Sequence, residues 1–112
     1  MNYNDLTDVE IATRVATALG YENALGQDVQ RGKPVTLINT GDGWEIFDPC
    51  HSWYDAGPII QNHRISLLPS AADDVWFADL GMDTTRGQHE TFHANPLRAA
   101  MIVLLMMQGV DE

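Results

Sequence analysis

The sequence predicts an α+β domain: a mainly antiparallel sheet of about four strands, with an N-terminal and a C-terminal helix packed on it. Three observations predict it. A capped amphipathic helix opens the chain, two β-rich runs flank the turn cluster "TGDG" at 40–43, and an apolar helix announced by Asn95-Pro96 closes it. The order of elements reads α-β-β-(α)-β-β-α, the pattern of a sheet with helices segregated from it. With 112 residues the chain reads as one domain, residues 1–112. That length buries roughly 65% of the unfolded surface, enough for one core without staples.

Each element has its own signal. Thr7 and Glu10 form a capping box, and Leu6 with Ile11 matches a hydrophobic staple. Ile11, Val15, Ala18 and Leu19 follow at helical spacing, and Gly20 closes the helix. Residues 21–33 show no clean period and read as a connection. "PVTLIN" (34–39) alternates, with Val35, Leu37 and Asn39 on one side, and "WEIF" (44–47) is the returning strand of a hairpin. Asp48-Pro49 ends that strand, since proline cannot continue a central ladder. Asp55 can cap a short helix with Pro58, Ile59 and Ile60 in its early turns, which leaves Trp53-Tyr54 in a loop. "RISLLP" (64–69) and "DVWFADL" (74–80) read as the third and fourth strands, and 81–94 as polar and irregular. Asn95 caps the last helix, Pro96 takes its first position and Gly109 ends it. The expected core is Ile11, Val15, Leu19, Leu37, Ile46, Ile60, Leu67, Trp76, Met101, Leu104 and Leu105.

Composition bounds the function. The formal net charge is −10 and only six residues are Lys or Arg. A protein that binds nucleic acid needs a basic stripe to neutralise phosphates, so a nucleic-acid partner is not expected. Acids spread along a chain usually form a solvated surface, and an acidic DNA mimic would need the fold to align them. Cys50 is the single cysteine, so no intrachain disulfide is possible. The opening "MNYNDLTDVE" carries neither a basic nor an apolar leader segment, and the expectation is a cytoplasmic protein.

The stretch "NPLRAAMIVLLMMQG" (95–109) is apolar on every side. Its run from 99 to 107 would rise only about 14 Å as a helix, against about 30 Å for a hydrocarbon core, so no membrane span is expected. A helix with no polar face is a buried helix. Because each helix packs over a limited arc, one small chain would have difficulty covering it. The expectation is therefore a homodimer, with Val103 and Met106 at the contact.

The segments "FDPCHSWYDAGPIIQNHRISL", the later "W-F-A", "NPLRAAMIVLLMM" and the opening "LTDVEIATRVATALG" resemble the NinX family of lambdoid bacteriophages. The likeness spans most of the chain and is weakest at 21–33 and 81–94. It implies a small phage-encoded protein made in a bacterial cytoplasm, and it carries no catalytic residues with it. A looser likeness is to small phage domains in which two helices sandwich a sheet.

Several residues invite sharper readings. "HETFH" (89–93) has the zincin spacing, in which His89 and His93 would share a helix face with Glu90 as general base. Gly87 before it and Asn95-Pro96 after it deny it a helix interior, so a polar loop is expected and no metal or other cofactor. Cys50-His51 with His63 suggests a metal or thiol site, but paired ligands at short spacing are absent, and Cys50 reads as a small packing residue. Trp44, Trp53 and Trp76 read as core and edge packing, with Trp53-Tyr54 the exposed pair suited to an intermolecular contact. Arg98 stands in the first turn of the last helix, where the dipole disfavours a cation by about 0.3–1 kcal/mol. Asp48 or Asp55 is the candidate compensating partner, and the alternative is a solvated arginine on the helix end. Together these features predict a non-catalytic interaction protein that self-associates or binds a host protein through Trp53, Tyr54, Asp48, Asp55, Arg98, Val103 and Met106. The alternative is a zinc-dependent hydrolase built on His89 and His93.

Overall fold

A computed structural model of the chain describes residues 3–21, 25–70, 74–79 and 90–107. A short 3-10 turn, Tyr3–Asp5, precedes helix α1, Asp8–Ala18. Strands β1 (Leu25–Gln30), β2 (Lys33–Asn39) and β3 (Trp44–Phe47) form an antiparallel sheet in that order. Helix α2 (Trp53–His63) follows. Strands β4 (Ser66–Pro69), β5 (Trp76–Asp79) and β6 (Glu90–His93) form a second antiparallel sheet, and α3 (Pro96–Met107) completes the order. The class is α+β as expected, but the strands make two three-stranded sheets where one sheet of about four was expected. The two additional strands, β1 and β6, lie in the segments read as a connection and as irregular chain.

The first helix forms as its sequence dictates. Thr7 Oγ1 accepts the Glu10 N–H (3.1 Å) and Glu10 Oε1 accepts the Thr7 N–H (2.8 Å), closing the capping box. At the other end Gly20, at φ +101°, lets its own N–H reach Thr17 O and the Tyr21 N–H reach Ala16 O. These are the two bonds of a Schellman motif, which needs a left-handed residue at this position.

Strand β1 pairs with β2 through the two-residue turn Arg31-Gly32, whose φ values of 54° and 79° are both left-handed. Such turns match the twist of the flanking strands but usually carry Asn or Gly at the first position, which is why Arg31 conceals the hairpin. Pro34 sits in the central strand without loss. It pairs with Val29, next to the hydrogen-bonded pair that flanks the turn, so its missing N–H would point toward β3. β3 pairs only with residues Thr36–Asn39 and never reaches Pro34.

The inner face of the first sheet reverses the expected one. Thr36, Ile38 and Phe47 are buried, whereas Leu37 is half-buried and Ile46 exposed. The buried threonine is the reason the face was misassigned. Thr36 Oγ1 lies 3.0 Å from Thr13 Oγ1 and donates to Val9 O (3.3 Å), so α1 satisfies a hydroxyl that alternation would put outside. Leu37 and Ile46 pair with each other on the outer face, where the Trp44 ring lies over Gly26. Of the remaining expected core residues, Ile11, Val15, Met101, Leu104 and Leu105 are fully buried. Leu19, Ile60, Leu67 and Trp76 are half-buried, and Ile59 takes the deep position expected of Ile60.

The layers stack in the order first sheet, α1, α3, second sheet, with α2 also against α3. The all-apolar helix is thus the central element, and Leu97 through Leu105 are all buried within one chain. Each fully buried Leu, Ile or Met there contributes about 1.5–3 kcal/mol by leaving water. This corrects the expected dimer contact. Val103 is fully buried, and Met106 is half-buried with its sulfur accepting the Thr91 hydroxyl at 3.8 Å. α3 is enclosed because β4, β5 and the unexpected strand β6 form a second sheet against it. Among the described residues no helix is long and apolar enough to cross a membrane.

Candidate functional site

Four of the candidate residues, Asp48, Trp53, Tyr54 and Asp55, gather around the turn that joins β3 to α2. Asp48 O accepts the backbone N–H groups of His51 (3.1 Å) and Ser52 (2.9 Å), which folds the Asp-Pro-Cys-His segment into a tight corner. Ser52 then caps α2, its Oγ accepting the Asp55 N–H at 3.3 Å. α2 therefore begins earlier than expected. Trp53 and Tyr54 occupy its first turn, 60% and 83% exposed, and Asp55 lies within the helix instead of capping it. Asp55 Oδ2 accepts the Asp48 N–H (2.9 Å) and ties the helix back to the corner.

On one side of the corner lies a charged cluster. Arg98 is 7% exposed; its Nη1 pairs with Asp8 Oδ1, and its Nη2 donates to Leu6 O (2.7 Å) and Tyr3 O (3.3 Å). The candidate partners, Asp48 and Asp55, are corrected to Asp8. Asp8 opens α1, where an acid reads as a helix-dipole residue, and that ordinary role hid its second one. Its other oxygen, Oδ2, stands 3.1 Å from His51 Nε2, while His51 Nδ1 stands 3.0 Å from Asp48 Oδ1. Arg98, Asp8, His51 and Asp48 thus form one chain of polar contacts linking the starts of two helices to the corner. A cleft of about 340 Å3 opens beside it, between α1 and β2, with Lys33 and Thr36 on its walls.

This cluster is poorly built for nucleophilic catalysis. Cys50 is fully buried, and burial, with the Asp8 carboxylate adding to it, pushes its thiol up to about 12. A thiol reacts as the thiolate, so a raised value disarms it. Both ring nitrogens of His51 face carboxylates and neither is directed at the thiol. His63 is occupied as well, its Nδ1 lying 3.0 Å from Ile59 O.

The H-E-x-x-H segment does not take the geometry that zinc catalysis requires. Glu90–His93 is strand β6, where a polar loop was expected, so His93 is not on a helix face; His89 lies outside the described residues. His93 Nδ1 accepts the Asn95 N–H (2.9 Å), and burial together with the Arg98 charge lowers its affinity for a proton. Asn95 caps α3 as expected, its Oδ1 accepting the Leu97 (2.9 Å) and Arg98 (3.3 Å) N–H groups, while its Nδ2 donates to Cys50 O (2.6 Å). Among the described residues no group of three or more His, Cys, Asp or Glu is placed to hold a metal ion.

On the other side of the corner is an open groove of about 540 Å3 between α2 and the first sheet. Leu19, Ile38, Phe47 and Ile59 give it an apolar floor, and Tyr54, Glu45 and Asp55 stand at its rim. Burial raises the Asp55 carboxyl above its ordinary range, and the nearby charges of Asp48 and Glu45 raise it further. Among the described residues neither Glu45 nor Asp55 has a cationic partner. Trp53, Tyr54, Asp48 and Asp55 are therefore brought together, whereas Val103 and Met106 belong to the core and Arg98 to the buried cluster. The groove was not legible in the sequence, because Leu19, Ile38 and Ile59 come from three separate elements.

No curated protein matches the chain. The profile of the family described as "Bacteriophage P22, NinX" matches residues 2–108, nearly the whole sequence, and the chain belongs to this NinX family of phage proteins.

Proposed function

We propose that the protein is a non-catalytic phage accessory factor that binds another protein through the first turn of α2 and the groove beside it. One observation carries this reading: Tyr54 stands exposed on an apolar groove of about 540 Å3, with the exposed Trp53 next to it in the first turn of α2. Exposed aromatics beside an apolar depression are characteristic of contact sites, since Trp and Tyr supply large areas at small entropic cost. The buried, proton-holding Cys50 and the doubly engaged His51 support a role without covalent chemistry.

A different protein suits this surface better than a second copy. Two chains of net charge −10 repel each other, and α3, which suggested self-association, is covered by its own chain. The test is affinity capture from infected cells with the wild type and a Trp53→Ala, Tyr54→Ala variant of equal stability. The reading expects a partner retained by the wild type at near-stoichiometric yield and lost by the variant. Equal capture by both would overturn it.

A further inference from the structure

The groove's chemistry narrows the kind of partner. Resting on the reading above, we infer that its occupant is a basic amphipathic segment of another protein, placing apolar side chains on the groove floor and Lys or Arg side chains opposite Glu45 and Asp55. The floor residues Ile38, Phe47 and Ile59 belong to the buried core, so the packing of the fold itself forms the floor of the groove. Its volume of about 540 Å3 lies within the about 300–1,000 Å3 range of formed binding pockets.

The rim specifies the charge. Glu45 and Asp55 line the groove with the Asp48 carboxylate close by, and burial first, then the Asp48 and Glu45 charges, raise the Asp55 carboxyl above its ordinary range. Among the described residues, the Thr40 hydroxyl is the hydrogen-bond partner of the Glu45 carboxylate, at 3.1 Å. A cation entering here relieves a repulsion already present, which an uncharged or acidic segment cannot do. The overall charge of −10 acts in the same direction and would speed the encounter with a basic partner. The outer faces of the two sheets, with Leu37, Trp44 and Ile46 on one and Leu68, Phe77 and Phe92 on the other, also carry apolar side chains. They are the sites the test discriminates against.

Amide NMR shifts of the full-length protein, titrated with a twelve-residue peptide of alternating Leu and Lys, test the inference. Expected shifts centre on Leu19, Ile38, Thr40, Tyr54, Ile59 and Asn62. The corresponding Leu-Glu peptide should give none. Thr40→Trp, which fills the groove from its rim, should abolish the response. Glu45→Gln should weaken it several-fold and Glu45→Gln with Asp55→Asn by about tenfold. The amide spectrum of each variant verifies that it is folded, and Glu45→Gln alone suffices if the double variant is not. Shifts scattered over Asp28, Asp42 and Asp74 would mean diffuse attraction and overturn the inference. So would shifts on the Leu37–Ile46 or Phe77–Phe92 faces, or no binding. If infected cells yield a partner that depends on Trp53 and Tyr54 while the Leu-Lys peptide fails, this inference falls and the interaction reading stands.

Discussion

Replacing Asp8 with alanine tests the buried charge cluster most sharply. The substitution removes the Asp8 carboxylate from the Arg98 guanidinium, whose side chain is 8% exposed. Removing one partner of a buried pair costs about 3–5 kcal/mol. Two features reduce that figure. The Asp8 side chain is 38% exposed, so water replaces part of the interaction, and Arg98 keeps the carbonyls of Tyr3 and Leu6. We therefore expect a loss of about 2–3 kcal/mol, or roughly a 10 °C fall in melting temperature for a domain of this size. Urea unfolding followed by far-ultraviolet circular dichroism measures it. His51→Gln, which touches the same carboxylate from an exposed position, should cost under about 1 kcal/mol. Combined with Arg98→Met, Asp8→Ala should show a coupling energy of about 1.5 kcal/mol or more. A loss below about 0.5 kcal/mol with no coupling would refute the assignment of Asp8 as the group that lets α3 begin with a buried cation.

Other outcomes follow from individual environments. Cys50, with its thiol pushed up to about 12, should resist iodoacetamide at pH 8 in the folded protein, where about one thiol in ten thousand is ionised, and react fully in 6 M guanidinium. Leu104→Ala should cost about 2–5 kcal/mol in urea unfolding, because the side chain is fully enclosed at the centre of the stack. Gly57→Ala should raise stability by about 0.5–1 kcal/mol, since a Cβ there meets nothing within 4 Å and α2 gains a better helix former. Asp55 has a raised carboxyl in the fold, so the folded chain holds that proton more tightly than the unfolded one. Its contribution is present below the unfolded carboxylate range and is lost as pH rises through the raised folded value. Stability curves of wild type and Asp55→Asn should therefore diverge over that window, with the variant gaining relative to wild type as pH rises.

Local signals in this sequence reported local structure faithfully. The capping box at Thr7, the glycine at 20 and the Asn95-Pro96 start of α3 all act through bonds within a few residues, and each forms as read. Elements whose stability comes from pairing were harder to see. β1 exposes most of its residues, and its turn begins with Arg31 in a conformation usually given to Asn or Gly. β6 is four residues long and overlaps a metal-like motif. Without those strands the second sheet was incomplete, and α3 seemed to need a second subunit. The Asp8–Arg98 pair spans ninety positions of sequence, and no periodicity connects them. Trp53 and Tyr54 were identifiable as exposed aromatics; the groove that Tyr54 lines exists only once the chain after α1, strands β2 and β3, and α2 converge.

The central claim is that the first turn of α2 is the contact face. A photo-crosslinking amino acid placed at Tyr54, and in parallel at Leu68 on the outer face of the second sheet, tests it directly in infected cells. The account predicts a single discrete adduct with another protein from position 54 and none from position 68. Adducts from position 68 with position 54 silent, or adducts from position 54 only with a second copy of the chain, would contradict it.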